Sequence, residues 1–180
     1  MSTPAEPRSI NRVITTHDKP GLSVFASTVS ETPPLSKRAD GMQIWFCYGT
    51  NRFPVRLDQE EDISIYKSLV RNPSGIILEG GSVARLVDFP PGYRSSMHRT
   101  ISLNYNFVIE GEVELILDSG ETRILKPGDM VVQRGINHAW RNISQDRWAR
   151  ISAFALPAEK FAIGERMSEE TGTSGIMTTR

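Results

Sequence analysis

What most limits the folds open to this chain is the spacing of its turn signals. From about residue 40 onward, "PPLSKRAD", "NPSG", "PPGY", "EGE", "DSGE", "KPGD" and "RGIN" supply glycines, prolines and aspartates at short, fairly even intervals. Between them lie apolar or alternating runs of strand length, rich in Val, Ile, Phe and Tyr: "MQIWFCYG", "DISIYK", "SVARLVDF", "NYNFVIEG", "EVELILD", "DMVVQR" and "WARISAFAL". Such a cadence predicts an all-β sandwich or barrel. "LILDSGETRIL" is the clearest hairpin, with Val113, Leu115 and Leu117 on one face and Glu112 and Glu114 on the other. The one helix expected is short, "PAEKFAIGERM", starting at Pro157 and docked by Phe161 and Ile163.

The 180 residues suit a single domain that buries its own core. Expected boundaries are N-terminal strands and linker over 1–40, a barrel over 41–156 whose densest part is 82–155, and a short helix with a fraying tail over 157–180. The irregular half before residue 80 is expected to wrap or extend the core sheet. Lys plus Arg and Asp plus Glu balance at 21 each, so no long-range field draws in nucleic acid or an anionic membrane. Small molecules and other copies of the chain are the expected partners. The start, "MSTPAEPRSINR", lacks the apolar core of a secretory signal, and no run approaches a membrane span, so a cytoplasmic protein is expected. The single cysteine, Cys47 in "IWFCY", reads as a packing residue.

The chemistry-bearing residues gather around "MHRTISLNYNFVIEG" and "QRGINHAWRN". If His98 points inward, so does Thr100, and strand alternation puts Asn104, Asn106 and Val108 on one face. The same period places Trp140 and Asn142 with His138. Two histidines distant in sequence can thus meet at one barrel end, with Gln133 nearby. Arg85 can reach inward and hold a substrate carboxylate through its planar fork, although parity leaves its face open. Arg99 and Arg141 read as outward ion-pair or interface residues, Arg134 as a solvated turn residue, and His17 as a surface residue.

Here the sequence resembles the cupin family, in particular small single-domain cupins of bacteria and fungi, some of them from secondary-metabolite gene clusters. The first cupin motif runs from a glycine through His-x-His and a glutamate to a closing glycine. Gly92, His98 and Gly111 match it, while Thr100 replaces the second histidine and Asn104 the glutamate. Gly128, Gly135, His138 and Asn142 match the second motif, with a turn one residue shorter. The resemblance covers about Ser82 to Ala155. It implies a jelly-roll barrel of roughly six to eight strands, commonly a homodimer in which the first strands of one subunit lie on the other.

The resemblance also implies a metal, since cupin sites usually combine three imidazoles with a carboxylate, suited to iron, manganese, zinc, nickel or copper. Only His98 and His138 stand at matching positions. Asp88 and Glu110 are the candidate replacement carboxylates. No metal is therefore favoured, and the expected site is catalytic His98 and His138 with Arg85, Thr100, Asn104, Asn106, Gln133 and Trp140 binding substrate. The favoured activity is that of a metal-independent dehydratase, isomerase or cyclase acting on a polyketide-like or other carbonyl compound by histidine acid–base chemistry. The alternatives are a metal-dependent cupin oxygenase or oxidoreductase, and a non-catalytic small-molecule-binding cupin.

Overall fold

A computed structural model describes residues 5–72 and 75–172. The expectation of a fraying terminus falls partly on 173–180, outside the described residues. Strands β1 (Thr15–His17), β2 (Ser23–Phe25) and β3 (Leu35–Lys37) come first, followed by the long β4 (Gln43–Thr50) and helix α1 (Glu61–Arg71). The dense region contains β5 (Ser82–Phe89), β6 (Ser102–Glu110), β7 (Val113–Leu117), β8 (Thr122–Leu125), β9 (Met130–Arg134), β10 (His138–Asn142) and β11 (Ala149–Pro157). Short strands β12 (Ala162–Ile163) and β13 (Arg166–Met167) close the described chain.

Two antiparallel sheets form the jelly roll. The larger has the order β3-β4-β5-β11-β6-β9, and the smaller β10-β7-β8. Their inner faces meet in one core of Met42, Phe89, Tyr93, Val108, Val113, Leu115, Trp140, Ala149 and Ile151. Alternation explains the division on β7, where Val113 and Leu115 are buried and Glu114 pairs outward with Arg141 at 2.8 Å. Gly111 turns the chain between β6 and β7 with φ +72°, and a Cβ there would stand 2.9 Å from Ala149. Glycine is required there both for its conformation and for its lack of bulk.

The outer face of the larger sheet is covered unevenly. Near β4 and β5 the N-terminal segment crosses it, burying Ile10 and placing the Arg8 carbonyl against the Arg150 guanidinium at 3.0 Å. Trp45 is buried beneath, donating from Nε1 to Asp88 at 2.9 Å. Towards β6 and β9 the cross-strand neighbours Phe154, Tyr105 and Val132 form a partly exposed apolar row, continued by Phe107 and Met130. Hairpin β1–β2 stands apart with its side chains largely exposed, His17 among them.

The helix lies elsewhere than expected. "PAEKFAIGERM" continues β11 and then folds as the β12–β13 hairpin, because Gly164 adopts φ +60° and turns the chain back. Phe161 packs against Gly135, where a Cβ would come within 2.5 Å of its ring, and its amide donates to Ser168 Oγ at 3.0 Å. The real helix holds "DISIYK", which was expected to be a strand. Ile63 and Ile65 satisfy a two-residue period, but the longer pattern Ile63, Tyr66, Val70 is helical, with acids in the first turn and Arg71 in the last. Tyr66 is fully buried against β4, donating to the Phe46 carbonyl at 2.8 Å and stacking on Tyr48 at 4.8 Å.

Candidate functional site

The site begins with a backbone pairing. Residues 94–99 run antiparallel along the free edge of β10, with bridges Arg94↔Arg141 and His98↔His138. His98 and His138 exchange both backbone hydrogen bonds at 2.9 Å, so their side chains rise side by side from the same face. The ring centroids stand 4.3 Å apart. Trp140 sits one alternation further along β10, its ring edge-on to His138 at 6.1 Å.

Each imidazole is oriented by its own chain. His98 Nδ1 lies 3.0 Å from the Ser96 carbonyl and His138 Nδ1 lies 3.2 Å from the Ile136 carbonyl. A carbonyl only accepts, so both rings carry the proton on Nδ1 and leave the Nε2 lone pair open. Burial disfavours the imidazolium in both. It lowers the pKa of His98, and it pushes His138, with the neighbouring His98 adding to the effect, down to about 4. At neutral pH the site therefore presents two adjacent uncharged bases.

The larger sheet supplies the facing wall of a cavity of about 250 Å³. Its inner face carries cross-strand rows: Val83, Ala155, Asn104 and Gln133, then Arg85, Ala153, Asn106 and Val131. Beyond these polar rows, Val87, Ile151 and Phe89 make an apolar wall. Asn106 donates from Nδ2 to Gln133 Oε1 at 2.6 Å. Asn104 Oδ1 and Gln133 Nε2 are buried without a partner, an unusual state for groups that normally exchange water only for a hydrogen bond.

His98, His138, Arg85, Thr100, Asn104, Asn106, Gln133 and Trp140 all line this one cavity. Arg85, whose face parity left open, points inward. Its guanidinium donates to the carbonyls of Ile76 at 2.7 Å and Gly75 at 3.1 Å, and burial lowers its pKa to about 10. Val108 is buried in the core instead of lining the space. Asn142 serves the framework: its amide nitrogen donates to the carbonyls of Phe89, Pro90 and Arg147, and its oxygen accepts from the Ser144 amide. Sequence reasoning assigned no cavity role to Arg38, Asp40, Tyr93, Ser95, Ser96 or Ile76. Tyr93, in the quoted "PPGY" turn, donates to Asp40 Oδ2 at 3.2 Å, and burial, with the Asp40 charge adding to it, raises its pKa.

A two-sheet antiparallel barrel with a polar-ended internal cavity places the chain among the jelly rolls. Residues 85–153 match the cupin domain family. The chain is 45% identical over 168 residues to phomopsin biosynthesis cluster protein D of Diaporthe leptostromiformis, covering 93% of this chain and 89% of that one. It is 36% identical over 164 residues to oryzines biosynthesis cluster protein J of Aspergillus oryzae, covering 91% and 92% respectively. A cupin-domain-containing oxidoreductase of Neurospora crassa is 38% identical over 142 residues, covering 78% and 69%. The protein belongs to the cupin superfamily and is similar to proteins of fungal biosynthesis clusters.

The metal that such a fold implies is poorly served by these side chains. Among the described residues no three His, Cys, Asp or Glu groups converge. Thr100 Oγ1 is engaged with Ser102 Oγ at 2.8 Å, and Asn104 offers only a neutral amide oxygen, a weak donor to first-row ions. Asp88 is fully buried in a pair with Arg150 outside the cavity lining, and Glu110 is exposed at the β6–β7 turn. Two imidazoles and an amide do not make a tight transition-metal site. Among the described residues, no helix is long and apolar enough to cross a membrane.

Proposed function

We propose that the cavity carries out redox-neutral proton transfer on a small carbonyl compound, as a dehydratase, isomerase or cyclase, with His98 and His138 as the proton-transfer pair. The observation that carries this reading is the pair of neutral imidazoles 4.3 Å apart, each with Nδ1 committed to a backbone carbonyl and Nε2 left open. His98, the less buried ring, takes a proton from the carbon next to the substrate carbonyl through Nε2. The electron pair moves onto the carbonyl oxygen, where the unpartnered Gln133 Nε2–H receives the developing charge. The imidazolium formed is a stronger acid than a solvated one because burial disfavours its charge, so it returns its proton readily. Delivery to a more distant carbon completes an isomerisation, and delivery to a departing hydroxyl releases water.

A second reading is oxidation or reduction, favoured by the name of the Neurospora crassa relative. Solvent-deuterium exchange into a panel of β-hydroxy and unsaturated carbonyl compounds separates the two. The wild type is expected to introduce deuterium without consuming oxygen or a nicotinamide cofactor. His98→Ala and His138→Ala are expected to lose about 100-fold or more of that exchange while keeping their melting temperatures. Unchanged exchange in both variants removes the assignment. Stoichiometric iron, copper or manganese in purified protein, lost on His98→Ala, turns it to the second reading.

A further inference from the structure

We infer that the substrate of this cavity is a carboxylate, held by Arg85 with its hydrogen-bonding portion between Asn104 and Gln133. This inference rests on the cavity being the functional site, but not on the acid–base chemistry proposed for it.

The first support is a cation in the wrong surroundings. Arg85 lines the cavity from β5, and among the described residues no carboxylate pairs with it. Arg85 is half-buried, and a charge drawn even partly out of water is ordinarily paired, because desolvation is costly without a counter-charge. The two backbone carbonyls at Gly75 and Ile76 fix the guanidinium but do not neutralise it. They engage Nη1 and Nη2, and a guanidinium has five N–H donors in all, so the fork retains free donors for a planar anion.

The second support is shape. Ala153 stands directly between Arg85 and Asn106 in the cross-strand row, and Ala155 stands beside Asn104 in the next. The small Ala153 on β11 thus leaves a depression between the long polar side chains of Arg85 and Asn106. Its far side holds Asn104 and Gln133, opposite each other across β6 and β9. Gln133 is 2% exposed, and its free Nε2 and the free Asn104 Oδ1 offer one donor and one acceptor side by side. A hydroxyl or amide of the substrate satisfies both. An organic acid bearing such a group supplies what the wall lacks at each end: negative charge at Arg85 and a donor–acceptor group at the pair.

Equilibrium binding tests this without any turnover. Acetate, benzoate and cinnamate are titrated beside their neutral amides, acetamide, benzamide and cinnamamide, into wild type, Arg85→Met, Arg85→Lys and His98→Ala, by calorimetry and thermal shift. Charge-assisted contacts to a guanidinium are expected to favour acids over amides by about tenfold or more in the wild type. Arg85→Met abolishes that preference, bringing each acid to the affinity of its amide. Arg85→Lys, which keeps the charge but loses the fork, retains a reduced preference and guards against a misfolded Met variant. The His98→Ala protein keeps the wild-type preference, so failure of the catalytic assignment leaves this inference standing. Equal binding of acids and amides, an acid preference that survives Arg85→Met, or no saturable binding of any acid overturns it.

Discussion

Two arginines from the central strands of the larger sheet meet opposite fates. Arg150, on the outer face of β11, is 3% exposed and is clamped by Asp88 through Nε and through Nη2 at 2.8 Å, with the Arg8 carbonyl completing its shell. Arg85, on the inner face of β5, has two backbone carbonyls and the Phe46 ring at 6.0 Å, but no carboxylate. Arg150 thus closes its electrostatics within the chain. Arg85, Asn104 and Gln133 instead line one cavity, the cation without a carboxylate and the Asn104 Oδ1 and Gln133 Nε2 atoms buried without a partner. A buried group left unsatisfied weakens the fold, and the carboxylate ligand inferred above would relieve that cost.

That contrast can be broken by mutation. Asp88→Ala strips the buried Arg150 of its counter-charge and is expected to cost about 3–5 kcal/mol of unfolding free energy. Arg85→Met, which removes a cation with no counter-charge, is expected to change stability by less than about 1 kcal/mol. Urea denaturation of the two variants reads both, and equal losses would erase the distinction between the faces.

Acid titration sharpens the comparison from the histidine side. His138 is held at about 4 in the fold against an ordinary 6.5. Between those values the unfolded chain binds the proton and the folded one does not, so stability rises with pH there and is lost as pH falls from about 6.5 to 4. His98 contributes in the same direction. The loss is on the order of 3 kcal/mol for His138. Thermal melts across that range are expected to show a flatter slope in His138→Gln. The smallest effect is expected on the outer surface, where Glu114→Ala breaks the partly exposed pair with Arg141 and costs about 0.2–1 kcal/mol by the same denaturation measurement.

How much of this was legible in the sequence depends on which forces act locally. Alternation kept Asn104 and Asn106 on the face of Val108 because β6 has no bulge between them, even though the more apolar side, with Tyr105 and Phe107, is the outer one. It failed to phase Arg85, since β5 is covered on both faces and Asp88, although outward, is fully buried. Asp40, Tyr93 and Ser95 were missed because they reach the cavity through turns and through the irregular pairing of 94–99 along β10, a long-range event that leaves no period. Helix α1 was lost to a short window in which a strand and a helix look alike. The C-terminal hairpin was lost because Phe161 docks on Gly135, a contact that local spacing cannot encode.

The edge strand that carries His98 is held from a direction the cavity does not reveal. Arg99, the next residue, exchanges both backbone hydrogen bonds with Thr171, which the chain delivers only after the β12–β13 hairpin has closed. The position of His98 is thus fastened partly by the final stretch of described chain. Exchange of the Arg99 and Thr171 amides with solvent deuterium consequently serves as a clock for how often that fastening opens.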